Sequence, residues 1–284
     1  MNGILLINKP IDLTSWDVVN KLTNILITKK IGHTGTLDPI ATGVLVVCVG
    51  NTTKLCELLT SEYKEYVATI KLGIKTDTLD TTGNIIEKKE YNVTEEQIKE
   101  VLNSFLGTSI QTTPIYSAVK VNGKKLYEYA REGKNVELPK REINITNIEL
   151  LSYKDDEIKF KTTVSKGTYI RALIDDICNK LNTVGTMSSL IRTKQGKFTL
   201  EETFTLEDVE NGKYELISIE KALSDIETIT IDEDTYNKVK NGAIIPRQFN
   251  NDYANLLYNN KIVAIYKTYD KDNTLAKPFK MFIN

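Results

Sequence analysis

An Asp-Pro pair set among glycines, and followed at once by an apolar run, constrains this chain more than any other feature. Ile31 to Leu45 reads I-G-H-T-G-T-L-D-P-I-A-T-G-V-L. Gly32, Gly35 and Gly43 admit positive φ and let another segment or molecule approach closely. Pro39 fixes its own φ and biases Asp38 away from the α region, so the carboxylate rides on a stiff, extended turn. Gly43 to Val49, G-V-L-V-V-C-V, is short and dense in β-branched residues, which predicts a buried strand. A carboxylate held at the mouth of a buried strand is a good way to place a catalytic group. Taken alone, Asp before Pro in a Gly/Thr-rich segment is ordinary turn chemistry. His33, the only histidine, is by itself the kind of residue that is more often a hydrogen-bonded structural residue than a ligand. The loop lacks G-x-x-x-x-G-K-[ST], so a phosphate-cradling nucleotide triphosphatase is not supported.

A chain of 284 residues carries one large domain, or one large and one small. The start, M-N-G-I-L-L-I-N-K-P, has too short an apolar core for a signal peptide, and no run approaches the ~20 apolar residues of a membrane span. Three cysteines (Cys48, Cys56, Cys178) with no C-x-x-C argue for a reducing compartment and against a disulfide framework or a zinc site. The expectation is a cytoplasmic protein without a membrane partner. The net charge of −1 hides an asymmetry: Glu201 to Asp234 holds twelve acidic residues against two lysines, leaving the rest of the chain positive. Lys120 to Arg141 carries seven basic residues against three glutamates, and further basic residues stand at Lys29, Lys30, Arg192, Lys194 and Lys197. Such patches set the footprint for a polyanion, although any one of them is also what a solvated face looks like.

The rest of the chain reads as alternating strands and helices. Ile4 to Ile7 predicts a strand with Lys9 at its end, and Thr14 or Ser15 caps a helix running to Ile27. A short helix is expected near Thr53 to Leu59. Lys64 to Ile74 predicts a long strand with Tyr66, Ala68, Ile70 and Leu72 on one face. Thr94 and Gln97 form a capping box for a helix carrying Ile98, Val101, Leu102 and Phe105. Ile115 to Val121 predicts a strand ended by the Asn122-Gly123 turn. The basic segment after it, with Tyr127 and Tyr129, predicts a helix ended by Gly133, able to stack on a nucleic acid or to pack on the sheet. Glu142 to Tyr153 and Glu157 to Val164 predict an antiparallel pair. Ile170, Leu173, Ile174, Ile177, Cys178 and Leu181 share one helical stripe. Arg171 lies off that stripe and has Asp175 at i+4; a cation in the first turn is opposed by the helix dipole, which favours some other anion as partner. Met187 to Thr193 predicts a further strand. The acidic segment reads as a boundary, giving domains at 1–225 and 228–284, the smaller one docked on the larger.

Five segments then match one family in order: I-N-K-P; G-H-T-G-T-L-D-P-I-A-T-G-V-L; Y-K-E-Y followed by G-I-K-T-D-T-L-D-T-T-G; P-I-Y-S-A-V-K-V-N-G-K-K-L-Y-E-Y-A-R-E-G; and S-K-G-T-Y-I-R, with L-I-R-T after them. Over residues 3 to about 200 the chain resembles the bacterial tRNA pseudouridine synthases that modify uridine 55 of the T loop. The resemblance implies an α+β fold: a mixed, mostly antiparallel central sheet flanked by helices, with a cleft along its middle. The tail matches in placement the family's small β-rich RNA-binding domain, of the pseudouridine-synthase-and-archaeosine-transglycosylase type. The resemblance further implies that Asp38 is the catalytic aspartate, that Tyr66 stacks on the target base and serves in proton removal, and that Arg171 pairs with the aspartate. His33 would take part in flipping the nucleotide out of the loop, Tyr169 and the backbone at Leu190 would contact the flipped base, and Lys9 would lie near the cleft.

The chemistry suits these residue types. Converting uridine to pseudouridine breaks the bond from ribose C1′ to N1, turns the base, and joins C1′ to C5. No electrons are exchanged, so neither cofactor nor metal is demanded. Asp38 supplies an anion, as nucleophile at C1′ or as base on a ribose proton. An arginine nearby favours the charged form of a carboxylate, and a tyrosine offers a flat face and a phenol oxygen as general base. The expected partner is the T-arm stem-loop of tRNA, bound by a monomer. A non-catalytic tRNA-binding or folding protein on the same scaffold is the alternative. A Cys/His hydrolase is poorly supported, because no cysteine sits in an evident activated setting.

Overall fold

A computed structural model describes residues 1–60 and 63–283. Strand β1 (Gly3–Lys9) leads to α1 (Ser15–Ile25), whose N-cap Thr14 and Asp17 form a capping box. Next come β2 (Ile31–His33) and β3 (Ala41–Val49), then a 3₁₀ turn, Gly50–Leu55, that runs into α2 (Cys56–Thr60). The strand expected over residues 64–74 is two: β4 (Lys64–Leu72) and β5 (Ile74–Thr76), separated at Gly73, where φ is +81°. β5 turns away from the main sheet to pair with β6 (Ile85–Lys88). After α3 (Glu95–Asn103), capped by Thr94 and Gln97, comes β7 (Gly107–Thr112).

The strand expected at 115–121 is not there. Only β8 (Lys120–Val121) is extended, in a small ladder with β9 (Lys124–Lys125) ahead of α4 (Leu126–Arg131). Residues 114–119 are irregular and spend their backbone groups elsewhere; the Tyr116 carbonyl, for example, accepts from Arg171. β10 (Lys140–Lys154), β11 (Glu157–Val164), α5 (Ile170–Lys180), β12 (Gly185–Gln195) and β13 (Phe198–Thr199) complete the large unit.

The main sheet runs β1-β3-β12-β4-β11-β10-β7, with β2 also on β3 and β13 also on β12. Every pairing is antiparallel except that of β12 with β3. β3, between β1 and β12, is a continuous apolar run because both of its faces are covered. Leu45, Val47 and Val49 pack with Val18 and Leu22 of α1. Val44, Val46 and Cys48 face the other way, toward Leu55, Leu59, Ile262 and Ile265. Further along the sheet, Ala68, Ile70 and Leu72 of β4 join Leu173, Ile174, Ile177 and Cys178 of α5 in a separate core.

The acidic segment, expected to be a boundary, packs along the edge of the main sheet. It carries α6 (Leu206–Glu210) and α7 (Ile219–Ala222), and its backbone lies along β1: Ile4 N–H donates to Ile217 O and Phe204 N–H to Leu6 O, both at 2.9 Å. It thereby covers an edge that would otherwise be open to pairing. The last part of the chain forms β14 (Thr228–Thr230), α8 (Glu233–Lys240), β15 (Ile245–Pro246), β16 (Tyr253–Tyr258), β17 (Lys261–Tyr269) and β18 (Asp272–Met281). These make a second, five-stranded sheet in the order β14-β16-β17-β18-β15. It docks through Ile262 and Ile265 against the β1–β3 face, and Lys54 Nζ reaches Met281 O at 2.7 Å. No helix among the described residues is long and apolar enough to cross a membrane.

Candidate active site

The Asp38-Pro39 turn is fixed from several sides before any ligand is considered. Ser15 Oγ, at the start of α1, accepts from Leu37 N–H at 2.8 Å and donates to Leu37 O at 3.2 Å. Asp12 N–H donates to Pro39 O at 2.9 Å, and Ala41 N–H closes the turn on Asp38 O at 3.0 Å. Fully buried Arg192 donates from Nε to Val44 O at 2.7 Å and from Nη2 to Gly35 O at 3.0 Å. Gly43 is required here: its φ is +99°, and a Cβ would stand 2.3 Å from Arg192 O on the parallel neighbour.

The turn opens onto a cleft of about 660 Å³ lined by Asp38, Tyr66, Tyr127, Tyr169, Arg171 and Leu190, among others. Tyr66 lies on β4 and Leu190 on β12, two strands that pair side by side at mid-sheet. Tyr169 is the N-cap residue of α5, and Arg171 sits in the first turn of that helix. Arg171 Nε is 3.0 Å from Asp38 Oδ2. The guanidinium also donates from Nη1 to Thr78 O at 2.8 Å and from Nη2 to Tyr116 O at 2.9 Å. Asp80 Oδ2 stands 3.6 Å from Nη1. A cation only 7% exposed is thus held by two carbonyls and two carboxylates, as burial of a charge demands. Asp175, its i+4 neighbour, pairs with Lys75 instead.

Asp80 is a residue that the sequence reading did not single out. Its Oδ1 collects bonds from Thr78 Oγ1 at 2.9 Å, from Thr82 N–H at 3.0 Å and from Thr82 Oγ1. The signal was in the quoted motif: threonines two residues either side of an aspartate are what an Asx turn uses. Tyr116 and Ser117, in the segment read as a strand, also face the cleft.

Two expected residues stand outside the cleft lining. Lys9 is fully buried behind the turn, where Nζ donates to Pro10 O, Leu13 O and, at 3.3 Å, Pro39 O. Burial lowers its pKa to about 8 against the opposing pull of Asp38. His33 ends β2 opposite Val47, half-buried, with Nδ1 enclosed and without a hydrogen-bond partner among the described residues. Burial, and then the charge of Arg192, push His33 below its ordinary range. Cys48 and Cys178 are buried thiols, the latter pushed up to about 12 by burial, which suits packing and not nucleophilic work.

This architecture is shared with a solved H/ACA ribonucleoprotein bound to a substrate RNA containing 2′-deoxyuridine. The likeness has a TM-score of 0.74 at 26% identity, over 99% of this chain and 85% of that one. The fold is that of a pseudouridine synthase. Residues 23–170 match the TruB family pseudouridylate synthase N-terminal domain, and residues 171–229 match the tRNA pseudouridylate synthase B C-terminal domain. The chain belongs to the TruB family of pseudouridylate synthases. The tRNA pseudouridine synthase B of Bacillus cytotoxicus is 42% identical, over 100% of this chain and 98% of its own. That of Clostridium tetani is 47% identical over 86% of this chain and 85% of its own.

Proposed function

We propose that this enzyme isomerises uridine 55 in the T loop of tRNA to pseudouridine, with Asp38 as the catalytic carboxylate. The observation that carries the reading is the Asp38–Arg171 contact of 3.0 Å inside a cleft walled by Tyr66. The relatives' name, tRNA pseudouridine synthase B, supports tRNA as the substrate. The Asp38 side chain is 37% exposed, so it meets an incoming ribose while its partner stays buried. Arg171 keeps the carboxylate oriented and offsets its charge; Asp38 then acts at the ribose as the glycosidic bond to N1 breaks. Uracil turns between Tyr66 and the apolar Leu190, and C5 bonds to C1′. The C5 proton leaves with Tyr66 as general base, and N1 regains a proton, so atoms balance without a co-reactant.

A stacked nucleotide cannot reach a carboxylate inside a cleft, so the target swings out of its loop at a cost of a few kcal/mol. His33 is assigned to the space it vacates, and Tyr169 to the flipped base. Lys9 is assigned to the turn, acting on Asp38 from behind. The five-stranded unit is assigned as a second RNA-binding surface. Three free cysteines support a reducing, cytoplasmic setting, and a monomer suffices because every assigned residue comes from one chain. The test is Asp38→Asn on unmodified tRNA, with pseudouridine mapped by carbodiimide chemistry. RNA binding should persist while product at position 55 disappears; turnover by the variant, or wild-type product at another uridine, would sink the assignment.

A further inference from the structure

Strand β7 is exposed at every position except one. Gln111 is 2% exposed, and a buried amide must find partners for both its ends or cost stability. It finds both on a single residue: Nε2 donates to Tyr169 O at 3.1 Å, and Oε1 accepts from Tyr169 N–H at 2.8 Å. The side chain thus acts as a strand neighbour for one residue of a loop. Directly across the ladder from Gln111 is Arg141. Its guanidinium carbon lies 5.4 Å from the centre of the Tyr169 ring, and Nη1 donates to Gly167 O at 3.4 Å. Gly167 has φ +89°, and a Cβ there would stand 3.0 Å from Arg141 Nη1, so the guanidinium occupies the place of a side chain. One register pair therefore grips Tyr169 by its backbone and by its ring. Tyr169 O also accepts the first helical bond of α5, from Leu173 N–H at 3.0 Å, and Arg171 follows two residues later.

We propose that Gln111 and Arg141 are positioning residues for the isomerisation: together they set Tyr169, and through the first turn of α5 the Arg171 guanidinium, at the cleft. This rests on the reading of the cleft given above, but not on which uridine is modified. Gln111 holds the backbone, so its loss moves both Tyr169 and Arg171. Arg141 acts through the ring, so its contribution exists only while the ring does.

The test uses the full-length enzyme in excess over unmodified tRNA carrying tritium at uridine C5, reading total tritium release whatever the position. Gln111→Met keeps the volume and removes both bonds. Its single-turnover rate should fall about 10- to 100-fold, the scale of a displacement of about 1 Å, with the dissociation constant for tRNA within about twofold. Arg141→Lys keeps the charge and loses the planar contact. It should slow the enzyme about fivefold in the wild-type background and less than about twofold in the Tyr169→Leu background, because residues acting in series are not additive. Equal losses from Arg141→Lys in both backgrounds overturn the proposal, as does a Gln111→Met rate near wild type or an affinity loss matching the rate loss. If Gln111→Met does not fold, the Arg141–Tyr169 cycle decides alone. Product at a uridine other than 55 refutes the T-loop reading and leaves this test standing.

Discussion

Replacing Asp80 by asparagine tests whether the buried guanidinium must be held from behind as well as in front. The substitution preserves volume, and Oδ1 can keep its bonds from Thr78 and Thr82. In that orientation the new amide NH₂ takes the place of Oδ2 and faces Arg171 Nη1, two donors at about the 3.6 Å of the native contact. Flipping the amide meets the same objection at Thr82 N–H. At 3.6 Å and an effective dielectric constant near 20, the lost attraction is about 4–5 kcal/mol before desolvation is counted. Neutralising a buried group recovers part of that. A net loss of about 2–3 kcal/mol remains, in line with a hydrogen bond to a charged group. Arg171 keeps its two carbonyl partners, so the helix stays in place while the guanidinium loses one side of its support. The expected phenotype is a single-turnover rate 10- to 100-fold below wild type, as for a reacting group misplaced by about 1 Å. Affinity for tRNA should hardly change, since Asp80 is buried. Rapid-quench measurement with excess enzyme and filter binding on the same preparation separate the two quantities. A rate within twofold of wild type would show that Asp38 and the carbonyls alone position Arg171.

Gly43→Ala should destabilise by more than about 3 kcal/mol, since it meets Arg192 O at 2.3 Å; Gly133→Ala, also at positive φ but with open space around it, should cost only about 1–2 kcal/mol. Urea titration of the pair checks this, and equal losses would refute the close-approach argument. Lys9 gives up its proton near pH 8 in the folded chain and near 10.5 in the unfolded one. Between those values the unfolded state binds more protons, so stability contributed at Lys9 rises with pH. The unfolding free energy of wild type relative to Lys9→Met should therefore increase from pH 7.5 to 10, and a flat difference would contradict the assigned burial. His33, the single histidine, should give one imidazole resonance titrating below 6.5; an ordinary or raised midpoint by NMR would mean that Arg192 and burial do not act on it.

What could be read from the sequence, and what could not, divides by the range of the interaction that decides each feature. The β3 run, the α5 stripe and the Thr94–Gln97 capping box depend on neighbours within a turn or a strand, and each formed where its spacing placed it. Residues 115–119 alternate like a strand but find no ladder, because their carbonyls are taken elsewhere: Tyr116 O by Arg171, 55 residues away, and Ser117 O and Val119 O by the N–H groups of Tyr127 and Leu126 at the start of α4. Lys64 to Ile74 looked like one strand because periodicity does not register the change of direction that Gly73 permits. Asp80 was invisible for the same reason as the fate of Arg171: spacing offers the arginine Asp175, four residues on, while the fold supplies Asp38, Asp80, Thr78 and Tyr116 and gives Asp175 to Lys75. A buried guanidinium has five donors in a rigid fork and cannot be satisfied by one local carboxylate. It must draw acceptors from wherever the chain returns to it. Asp38 is therefore ordinary turn chemistry until α5 arrives, and it is the cost of burying Arg171, met from three separate segments, that fixes the carboxylate at the cleft.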